Sequence, residues 1–81
     1  MEKSIIESKL TKIFKRIFKN ELIVLSNELT ANDVENWNSL THMLLITEIE
    51  TDFAIKFKLK DLNKMKNVGE MIDIIHSKLS V

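Results

Sequence analysis

At 81 residues the chain has room for one small domain, with neither a second core nor a separate cofactor-binding half. Its 44% hydrophobic and 30% charged content is that of a globular domain, while one Gly and no Pro exclude folds built on many tight turns, such as hairpin-rich sandwiches or barrels. The net charge of zero conceals a division: residues 1–20 carry six Lys or Arg against two Glu, residues 21–55 carry seven acids and no Lys or Arg, and residues 56–81 carry six Lys against three acids.

Without Cys there is no disulfide framework, thiolate metal site or thiol nucleophile. The longest apolar runs, Leu22–Leu25 and Met43–Ile46, are four residues long, far short of the roughly 20 that a membrane helix needs. No long apolar stretch near the N-terminus marks a secretory signal, so a cytoplasmic, helical domain spanning residues 1–81 is expected. The cation-free stretch offers a negative surface to a basic partner. Nucleic-acid binding has a weak electrostatic basis, since no basic cluster is longer than Lys15-Arg16.

In chain order, Ile5, Ile6, Leu10, Ile13, Phe14, Ile17 and Phe18 recur at spacings of three and four, which predicts a helix over about Ser4–Phe18. Ser4 and Glu7 read as its capping box. From Lys19 to Asn38 the period is lost, and a connection of this length inside a small domain points to function. Its apolar residues (Leu22, Ile23, Leu25, Leu29, Val34, Trp37) suggest that it packs on the helices. A second helix opens at Asn38-Ser39, both strong cap types, runs through Leu40, Met43, Leu44, Ile46, Ile49 and Phe53, and fails near Asp52. Phe53–Phe57 alternates apolar and polar, but a lone strand has nothing to pair with, so it reads as an extended connection tucking Ile55 and Phe57 inward. Asp61–Met65 suits a short helix. Asn67, three residues before Glu70, caps a last helix whose stripe is Val68, Met71, Ile72, Ile75 and Leu79. The expected fold is all-α, a small bundle of three longer helices and one short one.

Ser39 admits two readings. It caps or begins the second helix, or its hydroxyl, at a helix N-terminus whose free N–H groups and dipole favour phosphate, carries a phosphodiester. His42 lies one turn on. A Ser-His hydrolase would also need an orienting carboxylate, oxyanion donors and a nucleophile elbow, and one Gly is poor material for an elbow. His42 therefore reads as a surface residue, or as one that tunes docking with pH beside a phosphate. His76 reads as a boundary residue, and two His so far apart have no metal-ligand spacing. Trp37 reads as an anchor for the long connection, its N–H meeting a carbonyl or water, or as a wall for a bound chain. The Met residues at 43, 65 and 71 read as core or partner-facing filler.

Three ordered segments carry a family resemblance. Asn36-Trp37-Asn38-Ser39-Leu40-Thr41-His42-Met43-Leu44-Leu45-Ile46 resembles the Asp-Ser-Leu region of acyl carrier proteins. Ile49–Phe57 resembles the exit from their second helix, and Lys66-Asn67-Val68-Gly69-Glu70-Met71-Ile72 the opening of their last helix. The resemblance covers nearly the whole chain. It implies a freestanding, non-enzymatic acyl or aminoacyl carrier. A phosphopantetheinyl transferase would attach 4'-phosphopantetheine from coenzyme A to Ser39, and the thiol of that arm would carry the cargo as a thioester. It further implies a monomer served by an acyl- or aminoacyl-loading ligase or transferase and a downstream synthase or acyltransferase. Partners are expected to dock on Asn38, Leu40, His42, Met43, Leu44, Thr47, Glu48 and Glu50.

Two departures separate the chain from that pattern. Asn38 replaces the usual Asp, keeping the cap but losing a charge that a basic partner groove would meet. Thr41, Leu44 and Thr51 occupy positions that are often acidic in housekeeping fatty-acid carriers. Both point to a dedicated pathway, such as a surface-glycan, amino-acid-loading or secondary-metabolite route. Two rivals remain: an unmodified helical interaction module of the same fold, and a small regulator that binds a partner helix through an amphipathic face.

Overall fold

Apolar stripes at helical spacing account for the elements of the computed structural model, which describes residues 2–79. Helices α1 (Lys3–Phe18), α2 (Ser39–Phe53), α3 (Leu59–Asn63) and α4 (Val68–Leu79) follow in chain order, with one 3₁₀ turn at Ala31–Asp33 and no strand among the described residues. This is the expected bundle of three longer helices and one short one. Ile6, Leu10, Ile13 and Phe14 of α1, Leu45 and Ile49 of α2, and Val68, Met71 and Ile75 of α4 close the core. Each such side chain contributes about 1.5–3 kcal/mol by leaving water.

The start of α1 departs from expectation. The Glu2 carbonyl accepts from the N–H groups of Ile5 and Ile6, both at 3.1 Å, so the helix begins at Lys3 and no side chain caps it. Ser4 therefore sits inside the first turn, where its hydroxyl cannot reach the amides that a Ser4–Glu7 capping box requires. Ile5, about 100° around the helix from Ile6, falls at the rim of the stripe and is exposed. At the other end Lys19 turns left-handed (φ 51°), and the N–H groups of Lys19 and Asn20 both return to the Lys15 carbonyl.

The long connection does pack down, but only on one side. Ile23, Leu25, Val34 and Trp37 are buried, whereas Leu22 is 88% and Val24 79% exposed. Burial alternates along Leu22–Leu25, with Ile23 and Leu25 turned to the core and Leu22 and Val24 to solvent. Beyond α2, Ala54 adopts the left-handed conformation (φ 54°) and ends the helix one residue past Asp52-Phe53. Ile55 and Phe57 then lean inward without strand pairing, as expected, half-buried against the core. Helix α3 starts two residues earlier than Asp61, because Asp61 serves as its third residue and accepts the Lys58 N–H at 2.8 Å. The Lys78 ammonium, 2.8 Å from the same oxygen, and that N–H hold the Asp61 carboxyl below the usual carboxylate range.

Asn67 caps α4 as expected, its side chain accepting from the Glu70 N–H at 2.8 Å. Two further orphan amides of this helix find partners in the long connection: Val68 N–H donates to the Leu29 carbonyl and Gly69 N–H to that of Asn27, each at 3.0 Å. The chain's one Gly sits at this crossing. A Cβ on Gly69 would lie 3.0 Å from Asn27 Cβ and 3.1 Å from its carbonyl oxygen. Gly69→Ala gains up to about 1 kcal/mol of helix propensity, but overpacking against backbone costs about 1–3 kcal/mol and wins. Urea unfolding is expected to show a net loss of about 1 kcal/mol; an unchanged or raised midpoint would refute the close-approach reading.

Candidate functional site at the start of α2

Four consecutive residues build the end of the long connection. Asn36 takes the left-handed conformation (φ 70°), Trp37 is buried, Asn38 is extended and Ser39 begins the helix. Asn38 Oδ1 accepts from the N–H groups of Leu40 (3.0 Å) and Thr41 (3.1 Å). Thr41 Oγ1 accepts the Asn38 N–H at 2.8 Å and donates to the Asn36 carbonyl at 2.6 Å. This reciprocal cap, of a kind that contributes about 1 kcal/mol, fixes where α2 begins and hence where Ser39 stands. It also corrects one expectation. The amides of Leu40 and Thr41 are occupied by Asn38, so an anion here draws on the helix dipole and side chains rather than on a cradle of free N–H groups.

Ser39 itself is exposed, and its hydroxyl makes no hydrogen bond among the described residues. It stands at the edge of a cleft of about 200 Å³ lined by Trp37, Asn38, His42, Met65 and Lys66. Larger clefts of about 550 and 570 Å³ lie elsewhere, lined mainly by polar surface side chains, and neither includes Ser39. Lys66 and Met65 join the site from the α3–α4 connection. Sequence reasoning did not place them here, because the approach of that connection to α2 is a tertiary event with no local signal.

Trp37 anchors the connection, as one of its two readings held. Its ring meets Phe14 edge-on at 5.2 Å and Phe18 at 5.9 Å. The indole N–H donates not to a carbonyl but to His42 Nδ1 at 3.0 Å, with the two rings stacked 6.0 Å apart. His42 is thus not an inert surface residue. An indole nitrogen can only donate, so Nδ1 must hold a lone pair and the imidazole is neutral with its proton on Nε2. Partial burial acts in the same direction and lowers the His42 pKa. Such a ring is also poorly placed to serve as a base for Ser39.

The remaining expected docking residues divide in two. Leu40 (73% exposed), Met43 and Leu44 (53% each) and Thr47 form an open, mainly apolar face running down from Ser39. The acids beside it are engaged within the molecule. Glu48 bonds Arg16 at 2.8 Å, Asp52 lies 3.9 Å from the same guanidinium, and the Glu50 carboxylate accepts the Phe57 N–H at 2.9 Å.

No protein-family model and no curated protein matches the chain. Among solved structures it is similar to the solution NMR structure of a holo acyl carrier protein from Geobacter metallireducens. The TM-score is 0.87 and the identity 44%, over 91% of this chain and 85% of that one. A helical bundle this similar to a holo acyl carrier protein is a carrier rather than an enzyme. The chain belongs to the acyl carrier protein family.

Because the folded chain disfavours protonated His42 while the unfolded chain does not, the unfolded state binds more protons just below the ordinary His pKa. Stability from this residue is full above about pH 6.5 and is lost as pH falls through the lowered folded value. Urea midpoints are therefore expected to rise from about pH 5.5 to 7.5, and His42→Gln to flatten that rise. An identical slope in the variant would disprove the assignment.

Proposed function

We propose that this chain carries acyl or aminoacyl groups as thioesters on a 4'-phosphopantetheine arm attached to Ser39, within a dedicated cytoplasmic pathway. The observation that carries the reading is the exposed, unpartnered Ser39 hydroxyl, held at the first residue of α2 by the Asn38–Thr41 cap. The residues around it fit such an arm: a cleft opens beside the hydroxyl, and no carboxylate lines it to repel a phosphodiester. The arm supplies the thiol, which a chain without Cys lacks. In attachment, Ser39 Oγ forms a bond to the pantetheine-side phosphorus as the pyrophosphate linkage of coenzyme A breaks, and adenosine 3',5'-bisphosphate leaves with the bridging oxygen. The hydroxyl proton leaves to a base of the transferase, since His42 Nδ1 is taken by Trp37.

Partners in this reading are a phosphopantetheinyl transferase, a loading ligase or transferase, and a downstream synthase or acyltransferase. They dock on Leu40, Met43, Leu44 and Thr47, with Asn38 and His42 at the upper edge and Glu48 and Glu50 at the side. The internal engagement of Glu48 and Glu50 supports a dedicated route, because it leaves apolar contact rather than free carboxylates as the main adhesive of this face.

Incubation with coenzyme A, magnesium and a broad-specificity transferase is expected to raise the intact mass by one arm, with no gain in Ser39→Ala. Failure with several transferases would favour the unmodified interaction module instead. Once loaded with an acyl group, the carrier is expected to be elongated slowly or not at all by a fatty-acid synthase ketosynthase. Efficient elongation in a purified assay would rule out the dedicated pathway while leaving the carrier role intact.

A further inference from the structure

We infer that His42, oriented by Trp37, is a hydrogen-bond donor to the phosphodiester joining the arm to Ser39, with Lys66 supplying the opposing charge in the same cleft. The inference rests on Ser39 being the attachment site. Its first support is a matter of valence. With Nδ1 accepting from Trp37 at 3.0 Å, the remaining polar atom of the ring is the Nε2–H, and it has no partner among the described residues. That N–H is open to solvent on the wall of the cleft, free to donate to an acceptor placed there.

The second support is the composition of the cleft. His42 forms part of its wall, Ser39 stands at its edge, and Lys66 is the one charged side chain lining it. A phosphodiester is an acceptor-only monoanion, and a neutral N–H together with an ammonium match it in both hydrogen bonding and charge. An Asp in place of Asn38 would set a negative charge at the same edge; the amide caps the helix without doing so. Trp37 is a positioning residue here. It fixes the tautomer and ring plane of His42 and, packed on Phe14, cannot follow the ring if it turns away.

The test uses the holo protein, with modification first verified by intact mass. Absence of the arm would defeat the carrier reading itself and would be seen before this inference is addressed. A phosphodiester does not ionise between about pH 5 and 8, the range in which His titrates, so any movement of its ³¹P resonance there reports a neighbouring group. The resonance is expected to move with the midpoint of the His42 ring protons, and to lie flat in His42→Gln. The His42 midpoint should be higher in the holo than in the apo protein, because the added anion favours the imidazolium. In the apo protein Trp37→Phe should raise it, by freeing Nδ1. A flat ³¹P resonance in the parent protein, or coincident apo and holo midpoints, would overturn the inference. If Trp37→Phe fails to fold, His42→Gln, which alters no core residue, still decides it.

Discussion

The indole of Trp37, edge-on to Phe14 and hydrogen-bonded to His42, ties the α1–α2 connection to both of the helices that it joins. Each aromatic contact contributes about 0.5–1.5 kcal/mol beyond the area it buries, which is modest. The positional consequence is larger. With Trp37 held in the core, Asn38 has no freedom but to stand at the rim as the cap, and Ser39 must emerge on the solvent side of the first turn. The exposed position of Ser39 is thereby defined by a buried residue two positions earlier.

Much of this was legible in the sequence, for reasons that can be named. Helical stripes and strong cap types are local signals, so α2 opened at Asn38-Ser39 and Asn67 capped α4 as read. The misreadings have local causes too. Ser4 was a plausible cap until the Glu2 carbonyl took the first helical hydrogen bonds, and Asp61 was read as opening a helix in which it is the third residue. The pairing of Trp37 with His42 was not legible. It crosses a loop–helix boundary, and the indole faces His42 only because Phe14 and Phe18 occupy its other sides. The place of Gly69 was legible as part of a motif but not as a contact, since Asn27 approaches from another part of the chain.

The uneven charge of the sequence acquires a different meaning once folded. Seven acids with no cation among residues 21–55 suggest a surface that attracts basic partners. The fold spends several of them at home: Asp33 accepts the Thr30 N–H at 3.0 Å, Glu48 bonds Arg16 across the α1–α2 seam, and Glu50 holds Phe57. Exposed pairs of this kind add at most about 1 kcal/mol each to stability, so their effect on recognition exceeds their effect on folding. Arg16 offsets one charge of Glu48 and Asp52 taken together, while Leu40, Met43 and Leu44 stand as exposed apolar side chains of α2.

A carrier works best when its docking is specific but brief. Tethering keeps the cargo near whichever enzyme is engaged, so local concentration rather than tight binding supplies the rate, and a small patch of contact is sufficient. Three exposed apolar side chains on one helix face meet that need without a large interface. Discrimination among enzymes then falls to shape along α2 and, on the proposed attachment, to where the arm points as it leaves Ser39. In this chain the second factor lies with the cleft that Trp37, His42, Met65 and Lys66 enclose, formed by two segments that meet only in the folded bundle.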